Sequence, residues 1–125
     1  DVLSLHLRLT DATRNIVELA DLSRMRPTAL LVNTSRGGVV DEAALVQALT
    51  KGVIAGAGLD VFANEPQVPE ALWSMPNVVL TPHMASATHQ TRQAMADLAF
   101  ANMQAGLSGK PLLTPVPECM AQAAR

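Results

Sequence analysis

The sequence predicts an α/β fold built on a parallel β-sheet. Four short segments, residues 2–6, 29–33, 54–60 and 77–81, are apolar nearly throughout instead of alternating between apolar and polar residues. Continuous apolar runs of this length are typical of parallel strands that are covered on both faces. Segments with helical character lie between the runs, and a strand–helix–strand alternation indicates βαβ units.

Two helices are predicted between the strands. The first spans residues 11–25 and ends before Pro27. The second begins after Asp41, a favourable N-cap, and stops at Gly52 after Lys51 in its last turn. The apolar residues that these helices are expected to bury are Leu19, Leu22 and Met25 in the first, and Leu45, Ala48 and Leu49 in the second.

A longer helix is predicted over residues 88–108, followed by an irregular Pro/Ala-rich tail over residues 109–125. The helix carries apolar residues on two opposite faces: Ala94, Leu98, Ala101 and Ala105 on one, and Ala96, Phe100, Met103 and Leu107 on the other. Because a surface helix buries one apolar stripe, two stripes predict a helix that lies between two bodies. The two bodies are either two domains or two subunits. The presence of two apolar faces on this helix favours a homodimer.

Composition excludes several function classes. The chain has 125 residues, enough for one domain, and its net charge of −2 and 2% aromatic content argue against nucleic-acid binding. No apolar run approaches the roughly 20 residues of a membrane-spanning helix. The single cysteine, Cys119, cannot form an internal disulfide, so we expect a cytoplasmic protein. The chain starts without an initiator Met, and we expect it to be part of a longer polypeptide.

Polar residues follow the predicted strands. Arg36 follows the second, Asp60 ends the third with Glu65 just beyond it, and His83 follows the fourth. Parallel strands place such residues at one edge of the sheet, where ligands of open α/β sheets bind. An Arg can hold a carboxylate with two hydrogen bonds, and a His paired with a carboxylate can transfer a proton. The pattern therefore suits a reaction on an anionic carbonyl compound.

These segments resemble the D-isomer-specific 2-hydroxyacid dehydrogenases. The resemblance rests on three motifs in the family's order and spacing: VNTSRGGVVDE at residues 32–42, GLDVF at 58–62 with Glu65-Pro66, and PNVVLTPH at 76–83. Within the family, the sequence is most similar to the glyoxylate/hydroxypyruvate reductase type. The resemblance implies the second half of a Rossmann-type cofactor domain over residues 1–87. It further implies that helix 88–108 is a return helix leading to a substrate domain.

The family pattern implies a role for each catalytic candidate. His83 is expected to protonate the substrate carbonyl, with Glu65 as its hydrogen-bond partner. Arg36 is expected to bind the substrate carboxylate. Arg36 and His83 are both also expected to approach the cofactor. Asp60 is expected to contact the nicotinamide carboxamide. The remaining positions that match cofactor-binding residues are Leu7, Thr34, Ser35, Ala85 and Ser86. No metal ion is expected at this site.

The implied activity is hydride transfer between NAD(H) or NADP(H) and a small 2-keto or 2-hydroxy acid. The chain lacks the family's Gly-rich G-x-G-x-x-G turn, which holds the cofactor pyrophosphate. We therefore expect the 125-residue chain to be inactive by itself. The choice between NAD and NADP stays open.

Two other functions are compatible with parts of the pattern. Ser35, Asp60 and His83 follow the order of the triad in α/β-hydrolases, but Ser35 does not stand in a G-x-S-x-G turn, which argues against a hydrolase. The second alternative is a non-catalytic scaffold that responds to NAD(H) and binds proteins, as the C-terminal-binding corepressors do.

Overall fold

A four-stranded parallel sheet forms the centre of the chain, as predicted. In the computed structural model, which describes residues 1–117, the strands are β1 (Val2–Leu5), β2 (Leu30–Asn33), β3 (Gly56–Leu59) and β4 (Val78–Leu80), in the spatial order β1-β2-β3-β4. All three pairings are parallel. Asn33 pairs with Leu5 on one side and Leu59 on the other, and Leu59 pairs with Leu80. The strands thus end level with one another, and the residues after them emerge at one edge.

The helix predicted over residues 11–25 is largely wrong. Only α1 (Leu19–Leu22) is helical, and residues 11–15 form turns. Two interactions compete with a helix here, one local and one with a distant segment of the chain. The Thr13 hydroxyl bonds the carbonyl of Arg8, and Val17 pairs with Val40 as in a parallel bridge. Backbone groups used in that bridge are unavailable for helical hydrogen bonds.

The second predicted helix is confirmed as α2 (Glu42–Thr50). The Asp41 side chain accepts a hydrogen bond from the Ala44 N–H (3.1 Å) and caps the helix, while Gly52 stops it with a positive φ of 65°. The predicted inward residues of α2 are buried. Together with residues of the sheet and α1, they form the core, whose largest fully buried side chains are Leu22, Leu31, Val39, Leu45, Ile54, Val61 and Leu72.

Two short elements were not predicted. Gly37–Val39 form one 3₁₀ turn before α2, and Glu70–Trp73 form α3 between β3 and β4. Each is four residues or fewer, too short for helical periodicity to show in a sequence. The 3₁₀ turn matters for the site, because it follows Arg36 directly.

Residues 1–85 form one compact unit, and a second begins at Ser86. The second unit contains α4 (His89–Leu107), capped by the Thr88 side chain, close to its predicted bounds. Ala105 is the buried residue of α4, whereas Phe100 and Leu107 remain exposed, so burial of both apolar faces stays a prediction. Residues 109–117 contain no strand, and Cys119 and the end of the predicted tail lie outside the described residues. Within residues 1–117 no helix is long and apolar enough to cross a bilayer.

Candidate active site

The loop after β2 is organised by Asn33, which is 1% exposed. Its side-chain oxygen accepts hydrogen bonds from the backbone N–H (3.1 Å) and hydroxyl (2.9 Å) of Ser35. Its amide nitrogen donates to the carbonyl of Arg36 (3.0 Å). The buried Asn33 amide thereby forms hydrogen bonds with both a donor and an acceptor of the turn backbone. The turn that it stabilises places Arg36 at the carboxyl edge of the sheet.

The loop after β4 is organised by Asp60, which is 4% exposed. One carboxylate oxygen accepts hydrogen bonds from the Thr81 hydroxyl and from the backbone N–H of Met84 (2.9 Å). The other accepts from the backbone N–H of Ala85 (2.9 Å). Burial by itself would raise the pKa of Asp60, but these hydrogen bonds and the nearby His83 outweigh burial and hold the pKa below its ordinary value.

His83 lies within this loop in a left-handed conformation, with a φ of 52°. Such a backbone is uncommon for a residue with a side chain and persists where the surroundings fix it. Here the His83 N–H bonds the Thr81 carbonyl (3.1 Å), and the next two N–H groups along the chain bond Asp60. Asp60 therefore restrains the backbone that carries the imidazole, through the Thr81 hydroxyl before His83 and through two backbone N–H groups after it.

The imidazole of His83 forms a hydrogen bond with Glu65, as the sequence predicted. Nδ1 lies 2.8 Å from Oε2 of Glu65, and the two side chains are 47% and 36% exposed, respectively. The other carboxylate oxygen of Glu65 accepts the Phe62 N–H (2.9 Å). The hydrogen bond from His83, and after it the one from Phe62, lowers the pKa of Glu65. Glu65 is therefore ionised near neutral pH, so Nδ1 is the donor in this pair.

Arg36 lies at the same place as the His83–Glu65 pair. All three line one cavity of about 380 Å³, whose wall also includes Gly37 and Phe62. The charge of Arg36 contributes to the lowered pKa of Glu65. One guanidinium nitrogen of Arg36 donates to the Ser35 carbonyl (2.7 Å), which leaves its other N–H groups available to a ligand. The predicted convergence of a guanidinium, a carboxylate and an imidazole is thus present.

The predicted cofactor-contacting residues divide into two places. Leu7, Thr34 and Ser35 line a second cavity of about 510 Å³, at the ends of β1 and β2, which Arg36 also borders. Ala85 contributes its N–H to Asp60, and Ser86 follows it as the first residue of the second unit. The individual cofactor contacts of these residues remain predictions.

Several residues that build the site were not singled out from the sequence. Phe62, Thr81 and Met84 act through a backbone N–H or a hydroxyl bonded to a charged group. Backbone donors leave no signal in a sequence, because every residue except proline has one. Glu42 was not singled out either, although it belongs to the motif over residues 32–42. It accepts a hydrogen bond from the Ala63 N–H, in the loop that carries Glu65.

Ser35, Asp60 and His83 do not form a hydrolase triad. The Ser35 hydroxyl donates to Asn33 (2.9 Å), and the imidazole of His83 pairs with Glu65 instead of Asp60. The carboxylate of Asp60 faces Thr81 and two backbone N–H groups. Within residues 1–117 the Ser35 hydroxyl thus forms no hydrogen bond with an imidazole, as the absence of the G-x-S-x-G turn indicated.

A parallel sheet with an arginine and a carboxylate–histidine pair at its carboxyl edge defines an α/β protein that binds its ligand at that edge. Sequence comparison makes the class specific. Residues 1–85 match the model of the D-isomer specific 2-hydroxyacid dehydrogenase, NAD binding domain. The chain belongs to this family, which confirms the resemblance carried by the three motifs and the Rossmann-type fold that it implied.

Several curated relatives are named as reductases of keto acids. The chain is 50% identical over 110 residues to glyoxylate reductase of Thermococcus litoralis, covering 88% of this chain and 33% of that protein. It is 49% identical over 116 residues to hydroxyphenylpyruvate reductase of Plectranthus scutellarioides, covering 93% of this chain and 37% of that protein. The chain thus spans about a third of the length of these relatives.

Solved structures show the same fold. The NADPH-dependent glyoxylate/hydroxypyruvate reductase of Sinorhizobium meliloti, in complex with NADP and malonate, matches with a TM-score of 0.86 and 53% identity, over 94% of this chain and 37% of that one. The D-lactate dehydrogenase of Lactobacillus jensenii, with NAD+, matches with a TM-score of 0.86 and 34% identity, over 93% of this chain and 39% of that one. Both dinucleotides therefore occur among structures of this fold.

Proposed function

We propose that this chain provides the proton-transfer and carboxylate-binding groups of an NAD(P)-dependent reductase of small 2-keto acids. The observation that carries the proposal is the cavity lined jointly by Arg36, Glu65 and His83, with the 2.8 Å contact between the last two. Glyoxylate and hydroxypyruvate are the substrates to test first, because several relatives are named for them.

His83 acts as the general acid in this proposal. Because Glu65 is ionised and binds Nδ1, the imidazole keeps its Nδ1 proton and directs Nε2 away from the pair. Nε2 then donates a proton to the carbonyl oxygen of the keto acid, and in the reverse direction it accepts the proton of the hydroxyl group. The negative charge of Glu65 stabilises the protonated ring, which is the form that donates the proton to the keto acid.

Arg36 binds the carboxylate of the keto acid and orients its carbonyl toward His83. The Ser35 carbonyl accepts a hydrogen bond from one N–H of the guanidinium and restrains that end of the group. The remaining N–H groups can form the two parallel hydrogen bonds that a carboxylate accepts. Holding the keto acid at both ends is what positions it for reduction at C2.

The residues at the carboxyl edge fit the nicotinamide end of a dinucleotide. Leu7 provides an apolar wall of the 510 Å³ cavity, while Thr34 and Ser35 provide hydroxyl and backbone groups. Asp60 accepts three hydrogen bonds, which leaves one acceptor position for a carboxamide N–H. When bound, the nicotinamide supplies the hydride. The pyrophosphate-binding Gly-rich turn is not among these 125 residues.

A chimera tests the proposal directly. The present residues replace the matching 110-residue segment of glyoxylate reductase from Thermococcus litoralis, and NADPH and NADH oxidation is followed with glyoxylate and with hydroxypyruvate. Turnover that disappears in the His83→Ala chimera is the expected result, and the isolated chain is expected to show none. A chimera that binds NADPH tightly but reduces neither acid would support the corepressor-type scaffold instead.

We also propose that α4 is covered in the intact protein, by a substrate domain or by a second subunit. Its exposed apolar residues support this proposal; they are Met95, Leu98, Phe100, Met103 and Leu107. Sedimentation of the chimera at twice the mass of one chain is the result expected for a homodimer.

A further inference from the structure

Glu42 reaches out of its helix to the loop that carries Glu65. It is the first residue of α2 and is half-buried, and its Oε1 accepts a hydrogen bond from the backbone N–H of Ala63 at 2.7 Å. The acceptor is a carboxylate, so this bond belongs to the stronger, charge-assisted class. The two partners are 21 residues apart in the chain, and the contact therefore ties two separate segments together.

The neighbouring peptide holds the catalytic carboxylate. The Phe62 N–H donates to one oxygen of Glu65, and the other oxygen of Glu65 contacts His83. Two consecutive N–H groups of one loop are thus bonded to two different carboxylates, Glu42 and Glu65. Displacing the Ala63 N–H would rotate the peptide group between Phe62 and Ala63. Because Phe62 joins that group to the preceding one, the bond from the Phe62 N–H to Glu65 would be disturbed.

Gly37 supports the same loop from the same side. A Cβ atom at Gly37 would lie 1.9 Å from the carbonyl carbon of Phe62 and 2.3 Å from the nitrogen of Ala63, so only glycine permits this approach. Gly37 follows Arg36, and the 3₁₀ turn leads from there to Glu42 at the start of α2. The segment that presents the substrate-binding guanidinium thus also fixes the loop of the catalytic carboxylate.

We infer that Glu42 is a positioning residue, which fixes the Phe62–Ala63 backbone so that Glu65 is held against His83. This role rests on the proposed function, because that function is what makes the Glu65–His83 pair catalytic, and it adds a residue that holds the pair in place. Glu42 touches neither the substrate nor the imidazole in this role. It acts through one backbone hydrogen bond, and the consequence is a fixed position of the Glu65 carboxylate against His83.

Two substitutions of Glu42 distinguish the effect of its side-chain length from the effect of its charge. Glu42→Asp keeps the negative charge at the start of α2 but shortens the side chain by one methylene, so the Ala63 N–H loses its acceptor. Glu42→Gln removes the charge but keeps the length and an acceptor oxygen. Glu70→Asp is the matched control, because Glu70 is likewise the first residue of a helix, α3, and is exposed.

The readouts are amide hydrogen exchange and the carboxyl titration of Glu65, both by NMR on the 125-residue chain. In Glu42→Asp we expect exchange at Ala63 to accelerate about tenfold, as for the loss of one charge-assisted hydrogen bond. The pKa of Glu65 should rise toward its ordinary value, because the Phe62 N–H no longer holds the ionised form. Glu42→Gln keeps a neutral acceptor, so it should accelerate exchange at Ala63 less than Glu42→Asp does and leave the Glu65 titration close to that of the wild type. Glu70→Asp should change neither property.

Three outcomes would overturn the inference. The first is unchanged exchange at Ala63 in Glu42→Asp, and the second is accelerated exchange with an unchanged Glu65 titration. The third is an equal acceleration at Leu49 inside α2, which would show that Glu42 only stabilises the fold. A failure of the proposed function is separate, since it appears as a chimera without turnover whatever the titration of Glu65 shows.

Discussion

Replacing Asp60 by asparagine tests whether a buried carboxylate holds the His83 loop. Asparagine keeps one oxygen for the Thr81 hydroxyl and the Met84 N–H, but its NH₂ group faces the N–H of Ala85, donor against donor. One hydrogen bond to a charged acceptor is therefore lost, which costs about 1.5–3 kcal/mol. Burying a neutral amide is easier than burying a charge, and this offsets part of the loss. We expect the free energy of unfolding to fall by about 2 kcal/mol.

The assay is urea unfolding of the 125-residue chain followed by circular dichroism. A loss of about 2 kcal/mol with an m-value of about 2 kcal/mol/M lowers the transition midpoint by about 1 M. Asp60→Ala, which removes all three hydrogen bonds, should cost about 4 kcal/mol. Asp41→Asn is the control, because Asp41 also accepts a backbone N–H but asparagine serves equally well as an N-cap, so its effect should be a few tenths of a kcal/mol.

The pH dependence gives the sign of the effect. The folded-state pKa of Asp60 is lowered, so the unfolded chain binds more protons and the stabilisation is complete above the unfolded pKa of about 4. It is lost as the pH falls through the lower, folded-state value. The difference between wild type and Asp60→Asn should therefore be full at pH 7 and shrink in acid. A difference below about 0.5 kcal/mol at pH 7, or one that stays constant into acid, would refute the reasoning.

The remaining predictions concern activity in the chimera and the packing of one glycine. His83→Ala should lower kcat about 10²–10⁴-fold at every pH, and normal turnover would remove His83 from the mechanism. Glu65→Gln should alter the pH–rate profile, because a neutral amide replaces the ionised partner of the His83 Nδ1; an unchanged profile would make Glu65 structural. Arg36→Lys should raise KM for glyoxylate more than it lowers kcat, since lysine cannot form the two-pronged contact; steady-state kinetics with unchanged KM would contradict this. Gly37→Ala should destabilise the chain by at least about 2 kcal/mol in urea unfolding, and a stable variant would show that the Phe62 backbone can yield.

Short continuous apolar runs and helix-capping residues were sufficient to predict most of the fold. The four strands follow from continuous apolar runs, and α2 follows from Asp41 and Gly52, because these signals act locally. The helix predicted over residues 11–25 failed for a tertiary reason. Val17 pairs with Val40, a partner that helical spacing within the segment cannot reveal.

The sequence by itself determined the chemical groups of the candidate site, since Arg36, Glu65 and His83 follow parallel strands and such strands end at one edge. Only the tertiary structure decided what holds these groups in place. Asn33, Asp60 and Glu42 each bind N–H or C=O groups of loops that the sequence leaves undefined. The physical reason is that side-chain identity is written along the chain, whereas a backbone hydrogen bond depends on which segments meet and at what distance.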